Sequence, residues 1–410
     1  MIRLIASDMD GTLLNSKKEF DDEFFNILQE LLNKEIYFVI ASGNQFHHLY
    51  NQFLPYSDDL YFISENGSFI TKGEKELYSF TMDQYDVQTI YDVLKQDKQL
   101  NLKKVVIEYD QQGIKQNFLY MLNCIQQLFI INTSKVVIIR DNNYVVSTFK
   151  REGVNVIQVW HACGAIKKFG NALARKYPIK NYDYVIANSS YWKKPYSEAF
   201  SVKEENVVVT GMPRVDCLFD DNYLKVSKNK LLAKYPMLKD KKIILYAPTF
   251  RGNIYQGFSM LPFDGEKLIN SFDENTYLIY KLHPLLKNVC LPQHPRIIDM
   301  FNEDTHELFA LSDLLISDFS SIVFDYSILN KTMYFYVPDL NDYLKDVGCY
   351  VNTDLFPGKI CKNIDELIQG IQKNEVGNLE AFKNVFFEYQ DGKNTKRVVE
   401  LIYDILKKSL

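Results

Sequence analysis

Short apolar runs alternate with helix-length segments along nearly all of this chain. IRLIAS, IYFVIAS, LYFIS, KKVVIEY, KVVIIR, NVIQVW, DYVIAN, NVVVTG, KIILYAP, TYLIYKL and DLLIS follow one another in that order. β-rich runs separated by helical patterns specify parallel sheets with helices on both faces, an α/β fold. These strands are too many for one sheet, so at least two doubly wound units are expected. A chain of 410 residues is long enough for two or three cores. The polar stretch at residues 95–104 and the Lys-rich stretch at residues 225–242 are the candidate boundaries.

With 47% hydrophobic and 14% aromatic residues, the composition is globular and excludes a disordered chain. No apolar run has the length to cross a bilayer, and the N-terminus lacks a basic-then-apolar signal pattern. Cys124, Cys163, Cys217, Cys290, Cys349 and Cys361 are scattered without a CxxC pair. Free thiols in a reducing compartment are expected, rather than a disulfide frame or a zinc site. The expected location is the cytoplasm. Residues 1–100 hold 8 basic and 17 acidic residues, a balance of −9, which leaves +4 for the remainder of a chain of net charge −5. A mildly basic body suits anions such as nucleotides, phosphates or a lipid surface.

The first apolar run ends in SDMDGTLLNS (residues 7–16). A strand ending in Asp-Met-Asp-Gly-Thr resembles the start of the haloacid dehalogenase-type phosphatases. That resemblance implies Asp8 as the nucleophile toward phosphorus, Asp10 as acid and base, and both as magnesium ligands. Ser42, after IYFVIA, matches the hydroxyl that binds the transferred phosphate, and FISENGSFI (residues 62–70) is similar to the subgroup with a large cap. No later Lys and no acidic motif completes the metal site downstream. An aspartyl nucleophile without its metal and cation faces the repulsion of a phosphate dianion. Residues 1–100 are therefore expected to be a partial phosphatase core kept as scaffold, with Mg2+ at Asp8 and Asp10 as its one cofactor option.

The remaining chemistry lies downstream. In VIQVWHACGAIKKFG (residues 156–170) a strand runs into His161, a small-residue turn follows, and then a basic amphipathic helix is expected. A histidine at the C-terminal end of a parallel strand stands where open α/β sheets bind ligands, and can accept a proton near neutral pH. TGMPRVD, YAPTFRGN, YKLHP and SDFSSIVFDYSILNK follow, each at or just after a strand end. Arg, Thr, Lys, His and Ser side chains from several strand ends would converge on one crevice, and they are the groups an anionic diphosphate needs. Ser320 and Ser321 precede a helix expected near Ile322, where hydroxyls and free amides suit phosphate, and simple capping is the alternative. Asp325, one turn on, suits a polyol or ribose hydroxyl, or the orienting of a cation.

This ordered set, from about residue 104 to DGKNTKRVVELI (residues 391–402), resembles the CDP-glycerol:poly(glycerophosphate) glycerophosphotransferases, which build teichoic acids and related capsules. The resemblance implies a glycosyltransferase-B type architecture of two Rossmann-like domains: an acceptor-side domain at residues 101–235 and a CDP-donor domain at residues 236–410 with a final crossover helix. It implies His161 as the base and His283 as the second catalytic histidine. Gly164, Arg214, Thr249, Arg251, Lys281, Ser320, Ser321 and Asp325 would bind the donor. The expected reaction moves glycerol phosphate or ribitol phosphate from a CDP-polyol to an acceptor hydroxyl and releases CMP, with no metal demanded. The expected partners are the CDP-polyol, a lipid-linked or oligomeric polyol-phosphate or glycan acceptor and an anionic membrane surface at the inner face, with no nucleic acid. The helix expected at residues 165–177 reads first as an ordinary core-facing helix after the active-site loop, and alternatively as a basic face that meets that surface. A phosphatase acting on a small metabolite, a nucleotide-sugar glycosyltransferase and a non-enzymatic capsule scaffold are the other readings.

Overall fold

The computed structural model describes the chain except residues 1–3, 10–11, 15–19, 22, 35, 42–45, 55, 65–68, 74, 80–84, 106–113, 174–176, 254–256, 284–285, 287–288, 342, 344–347 and 409–410. The chain divides into two compact units, Met1–Gln84 and Tyr85–Leu410.

In the first unit β1 (Leu4–Asp8), β2 (Tyr37–Ala41), β3 (Tyr61–Ser64), β4 (Phe69–Lys72) and β5 (Lys75–Ser79) form one sheet in sequential order. The first three strands are parallel and the last two are added as antiparallel hairpins. Parallel pairing needs crossovers, supplied by the helices Phe24–Asn33 and Phe46–Gln52. Leu28, Phe38, Ile40, Leu49, Phe53 and Phe62 make its core. Asp8 ends β1 beside Ala41. Asp10, Ser42 and the side chain of Asp8 lie outside the described residues.

The second unit holds two parallel sheets. β6 (Val136–Ile139), β7 (Asn155–Gln158), β8 (Tyr184–Ala187) and β9 (Val207–Val209) pair in order. The larger sheet contains β10 (Lys242–Tyr246), β13 (Thr276–Tyr280), β14 (Ile297–Asp299), β15 (Leu314–Ser317), β16 (Thr332–Tyr336) and β17 (Lys359–Cys361), in the order β14-β13-β10-β15-β16-β17. A short antiparallel ribbon, β11 (Arg251–Asn253) with β12 (Gly257–Ser259), stands apart. Consecutive residues Ile243, Ile244, Leu245 and Tyr246 are all buried, which requires cover on both faces of β10.

Two expectations are corrected here. In KKVVIEY, Lys103, Lys104 and Val105 belong to no strand, and the rest of that run lies outside the described residues. The basic segment after the small-residue turn is not an α-helix over residues 165–173, where a single 3-10 turn stands at Gly170–Ala172. Tyr350 N–H donates to the Ile166 carbonyl (2.8 Å), Lys168 N–H donates to the Gly348 carbonyl (3.1 Å), and Lys167 bridges to Cys349. Backbone groups committed to a neighbouring segment are lost to an i→i−4 ladder. Arg175 and Lys176 lie outside the described residues.

The last helix, Asn394–Lys408, packs back against the β6–β9 sheet. The Asp216 carboxylate accepts from Asn394 N–H (3.1 Å), Thr395 N–H (2.8 Å) and the Thr395 hydroxyl (2.7 Å), so a residue just after β9 caps the helix N-terminus. Gly211 has φ +75°, and a Cβ there would stand 1.9 Å from the Asn394 side chain, so only glycine fits. Among the described residues no helix is long and apolar enough to cross a membrane.

Candidate active site

Four residues leave the C-terminal ends of the four strands of the smaller sheet. They are Asp141 after β6, His161 after β7, Asn188 after β8 and Arg214 after β9. His161 Nδ1 lies 2.7 Å from Asp141 Oδ1, and the imidazole side chain is 41% exposed. Burial pushes the Asp141 carboxyl up, but the hydrogen bond to His161 and the nearby charges of His161 and Arg140 hold it below the usual carboxylate range. A carboxylate on Nδ1 sets the tautomer, so the neutral ring donates Nδ1–H and presents Nε2 as a proton acceptor.

The chain reaches this position through a strained turn. Trp160 has φ +54°, a left-handed conformation that costs about 1–2 kcal/mol for a non-glycine residue. Its indole stacks on Phe169 (4.9 Å) and meets Phe200 edge-on (5.1 Å), which holds the turn in place. Asn188 joins the loops on either side: its Nδ2 donates to the Cys163 carbonyl (2.6 Å) and its Oδ1 accepts from Met212 N–H (2.9 Å). A Cβ on Gly164 would meet Trp192 at 2.5 Å and Phe324 at 2.9 Å. Gly164→Ala is thus expected to destabilise the fold by about 1–3 kcal/mol through overpacking, read as a lower thermal midpoint.

The larger sheet contributes Thr249 and Arg251 after β10, Lys281 and His283 after β13, Asp318, Ser320 and Ser321 after β15, and Asp339 after β16. Asp318 accepts from Thr249 N–H and Oγ1–H, both at 2.9 Å, and from Arg251 Nη1 at 2.9 Å. Asp339 takes Arg251 in bidentate fashion through Nε (2.7 Å) and Nη2 (3.2 Å). The Arg251 fork is therefore held by carboxylates, which places it as a frame for the loop as much as a phosphate clamp. Lys281 donates to the carbonyls of Phe301 and Glu303, both at 2.7 Å, and so braces the turn after β14. His283 lies 4.8 Å from the Phe250 ring. Burial, then the positive charges of Lys167, His161 and Lys281, push its imidazole down to about 4, so it is neutral at physiological pH. Ser321 precedes the helix Ile322–Ser327 without a side-chain cap, and the Ser320 hydroxyl accepts from Ile322 N–H at 3.4 Å.

Beneath His161 lies a buried charged cluster. Arg214 Nη1 donates to the His161 carbonyl, and Arg214 Nη2 lies 3.0 Å from Asp325 Oδ2. The same carboxylate oxygen lies 3.2 Å from His306 Nε2, whose Nδ1 is 3.7 Å from Cys217 Sγ. Asp325 is 2% exposed, so it serves this cluster rather than facing outward one turn from Ser321. Among the described residues no group of three His, Cys, Asp or Glu side chains could hold a metal ion.

Sequence reasoning placed His161, His283, Thr249, Arg251, Ser320 and Ser321 at strand ends, and there they stand. It passed over Asp141, whose signal was an Asp directly after KVVIIR, and Asp318, which sits inside SDFSS. It also passed over Asn188, Asp339 and His306.

The family described as CDP-Glycerol:Poly(glycerophosphate) glycerophosphotransferase matches residues 47–404, beginning well before the residue near 104 where the motifs begin. A teichoic acid ribitol-phosphate primase of Bacillus spizizenii is 33% identical over 340 residues, covering 77% of this chain and 87% of the primase. A teichoic acid poly(ribitol-phosphate) polymerase of the same organism is 36% identical over 290 residues, 66% of this chain, and this chain spans only 46% of that longer protein. The solved structure of the wall teichoic acid polymerase TagF superposes with a TM-score of 0.60 at 24% identity, over 79% of this chain and 86% of that one, a likeness of fold.

Proposed function

The chain belongs to the CDP-glycerol:poly(glycerophosphate) glycerophosphotransferase family, and from that premise we propose that it moves a polyol phosphate from a CDP-activated donor to an acceptor hydroxyl. Glycerol phosphate and ribitol phosphate are the two candidate groups, and a teichoic acid or capsule-type chain is the acceptor. The observation that carries this reading is the His161–Asp141 pair at 2.7 Å, which leaves Nε2 as the basic atom at the mouth of the smaller sheet.

In the step, the acceptor oxygen forms a bond to the β-phosphorus as its proton passes to His161 Nε2. The bond from the β-phosphorus to the bridging oxygen breaks, and its electron pair leaves with CMP. Asp141 stabilises the imidazolium that results. Neutral His283 donates a hydrogen bond to the phosphoryl oxygens on which charge develops. Ser320, Ser321 and the amides around them supply further donors, with Thr249 and Arg251 fixing the loop opposite.

Two parallel sheets that both open at their strand C-termini support a glycosyltransferase-B type layout, with the acceptor on the side of residues 101–235 and the donor on the side of residues 236–410. The haloacid dehalogenase-like first unit is read as scaffold, and the acceptor as lipid-linked at the inner face of the membrane. The test is CMP release from CDP-glycerol and from CDP-ribitol with a lipid-linked polyol-phosphate acceptor. Release that requires the acceptor is expected with one donor. No release with either donor across several acceptors would remove the reading.

A further inference from the structure

Lys167 and Lys168 are adjacent in sequence and are treated very differently by the fold. Lys168 points toward Glu198, with Nζ 3.8 Å from the carboxylate, and lies 6.0 Å from the Tyr350 ring centroid. Lys167 turns the other way. Its ammonium stands 5.0 Å from the Phe250 ring centroid, and that ring is 4.8 Å from the imidazole of His283. The antiparallel bridge between Lys167 and Cys349 fixes the backbone from which it reaches. A lysine carried on the loop of the base, six residues after His161, thereby enters the ground of the second histidine, beyond the end of β13 on the other sheet.

Among the described residues, no carboxylate lies within 4.0 Å of Lys167 Nζ, although His161, Lys168, Arg214 and Arg251 each have one within that distance. Asp318, the nearest negative influence on it, is already filled by the Thr249 amide and hydroxyl and by Arg251. Burial, as the largest effect, pulls the Lys167 ammonium below its ordinary value, and Arg251 adds to this against the opposing field of Asp318. A half-buried cation over an aromatic face, without an anion, is unfavourable to the free protein and favourable to whatever anion arrives. The neutral state of His283 follows in part from the same ammonium.

We propose that Lys167 binds the diphosphate of the nucleotide donor, reaching from the loop that carries His161 to the phosphoryl oxygens held beside His283. The inference rests on the transferase reading, and it assigns to Lys167 a role in the cleft in place of one on a lipid-facing surface. An ammonium there offsets charge on the donor in the ground state as well as in the transition state, so its removal shows mainly in donor affinity.

The test is equilibrium binding of CDP, CMP and cytidine to the full chain and to Lys167→Met and Lys167→Gln, with the donor KM and kcat for CMP release measured in parallel. Loss of one charge-assisted contact predicts CDP binding weaker by about 10- to 100-fold, with cytidine unchanged. The donor KM should rise by a similar factor, and kcat should change less. Thermal midpoints of both variants should equal or exceed that of the parent, because an unpaired ammonium has been removed from a half-buried place. CDP affinity and donor KM that stay at the parent values in both variants would overturn the inference and leave the transferase reading intact. So would a lowered thermal midpoint with nucleotide binding unchanged, since that marks a structural lysine. CDP binding that depends on Lys167 without CMP release from either donor would uphold the anion site and sink the transferase reading instead. No CDP binding by the parent chain would overturn both.

Discussion

His161→Ala is expected to lower acceptor-dependent CMP release by about 10²–10⁴-fold, the usual contribution of a positioned general base. The imidazole side chain is 41% exposed and its ring contact, 3.9 Å between centroids, is with the adjacent Trp160, which Phe169 and Phe200 also hold, so the variant should fold with a near-parental thermal midpoint. Asp141→Asn separates the base from its orienting group. The carboxylate lies 2.7 Å from Nδ1 and bears the charge that balances an imidazolium. Its loss should lower kcat by about 10- to 100-fold, the worth of one charge-assisted hydrogen bond. The donor KM should hold, since the carboxylate acts on the base and not on the nucleotide. An Asp141→Asn protein with parental kcat would show that the carboxylate is not part of the proton transfer.

The second large effect lies in the core. Asp325→Ala is expected to cost about 3–5 kcal/mol, measured as the shift of a urea transition, because it leaves the Arg214 guanidinium and the His306 imidazole facing each other without an anion. Its pH dependence has a definite sign. Burial opposes a charge on His306, but the hydrogen bonds to Asp325 and Cys217 outweigh it and raise the group to about 10, against 6.5 as the ordinary value. A histidine raised on folding contributes stability that is complete below about pH 6.5 and is lost as pH climbs toward 10. Parental stability should therefore fall across that window, by an amount on the order of a few kcal/mol, and the fall should vanish in Asp325→Ala. Urea midpoints at pH 6, 8 and 9.5 read both results, and equal slopes in the two proteins would reject the assignment. Arg214 also donates to the His161 carbonyl, so a slower Asp325→Ala enzyme is expected even where it remains folded.

Much of the scaffold was legible in local sequence, and the reasons are local. IILY of β10, LIY of β13 and LLIS of β15 are buried on consecutive residues, and such runs have few homes other than a strand covered on both faces. The strand TMYFY, next to β15 in the sheet, went unremarked because three aromatic residues in five read as easily as a surface or helical patch. The helix expected at residues 165–177 failed for the opposite reason. Its periodicity was real, but Gly348, Cys349 and Tyr350, close to two hundred residues away, claim its backbone groups, and no local pattern announces a partner so distant.

By itself, the sequence determined the class of fold, the positions where chemistry-bearing side chains leave their strands, and His161 as the candidate base, because strand, turn and side-chain type are written within a dozen residues of one another. Only the tertiary structure decided what those side chains do. Arg251 is held by Asp318 and Asp339, Lys281 by two carbonyls, and Asp325 by Arg214 and His306, while Asp141 joins His161 and Lys167 stands over the Phe250 ring with no carboxylate of the described residues within 4.0 Å. A charge acts through whatever lies within a few ångströms of it, and the fold brings together residues 20 to 178 positions apart, so proximity at that scale belongs to the folded chain alone.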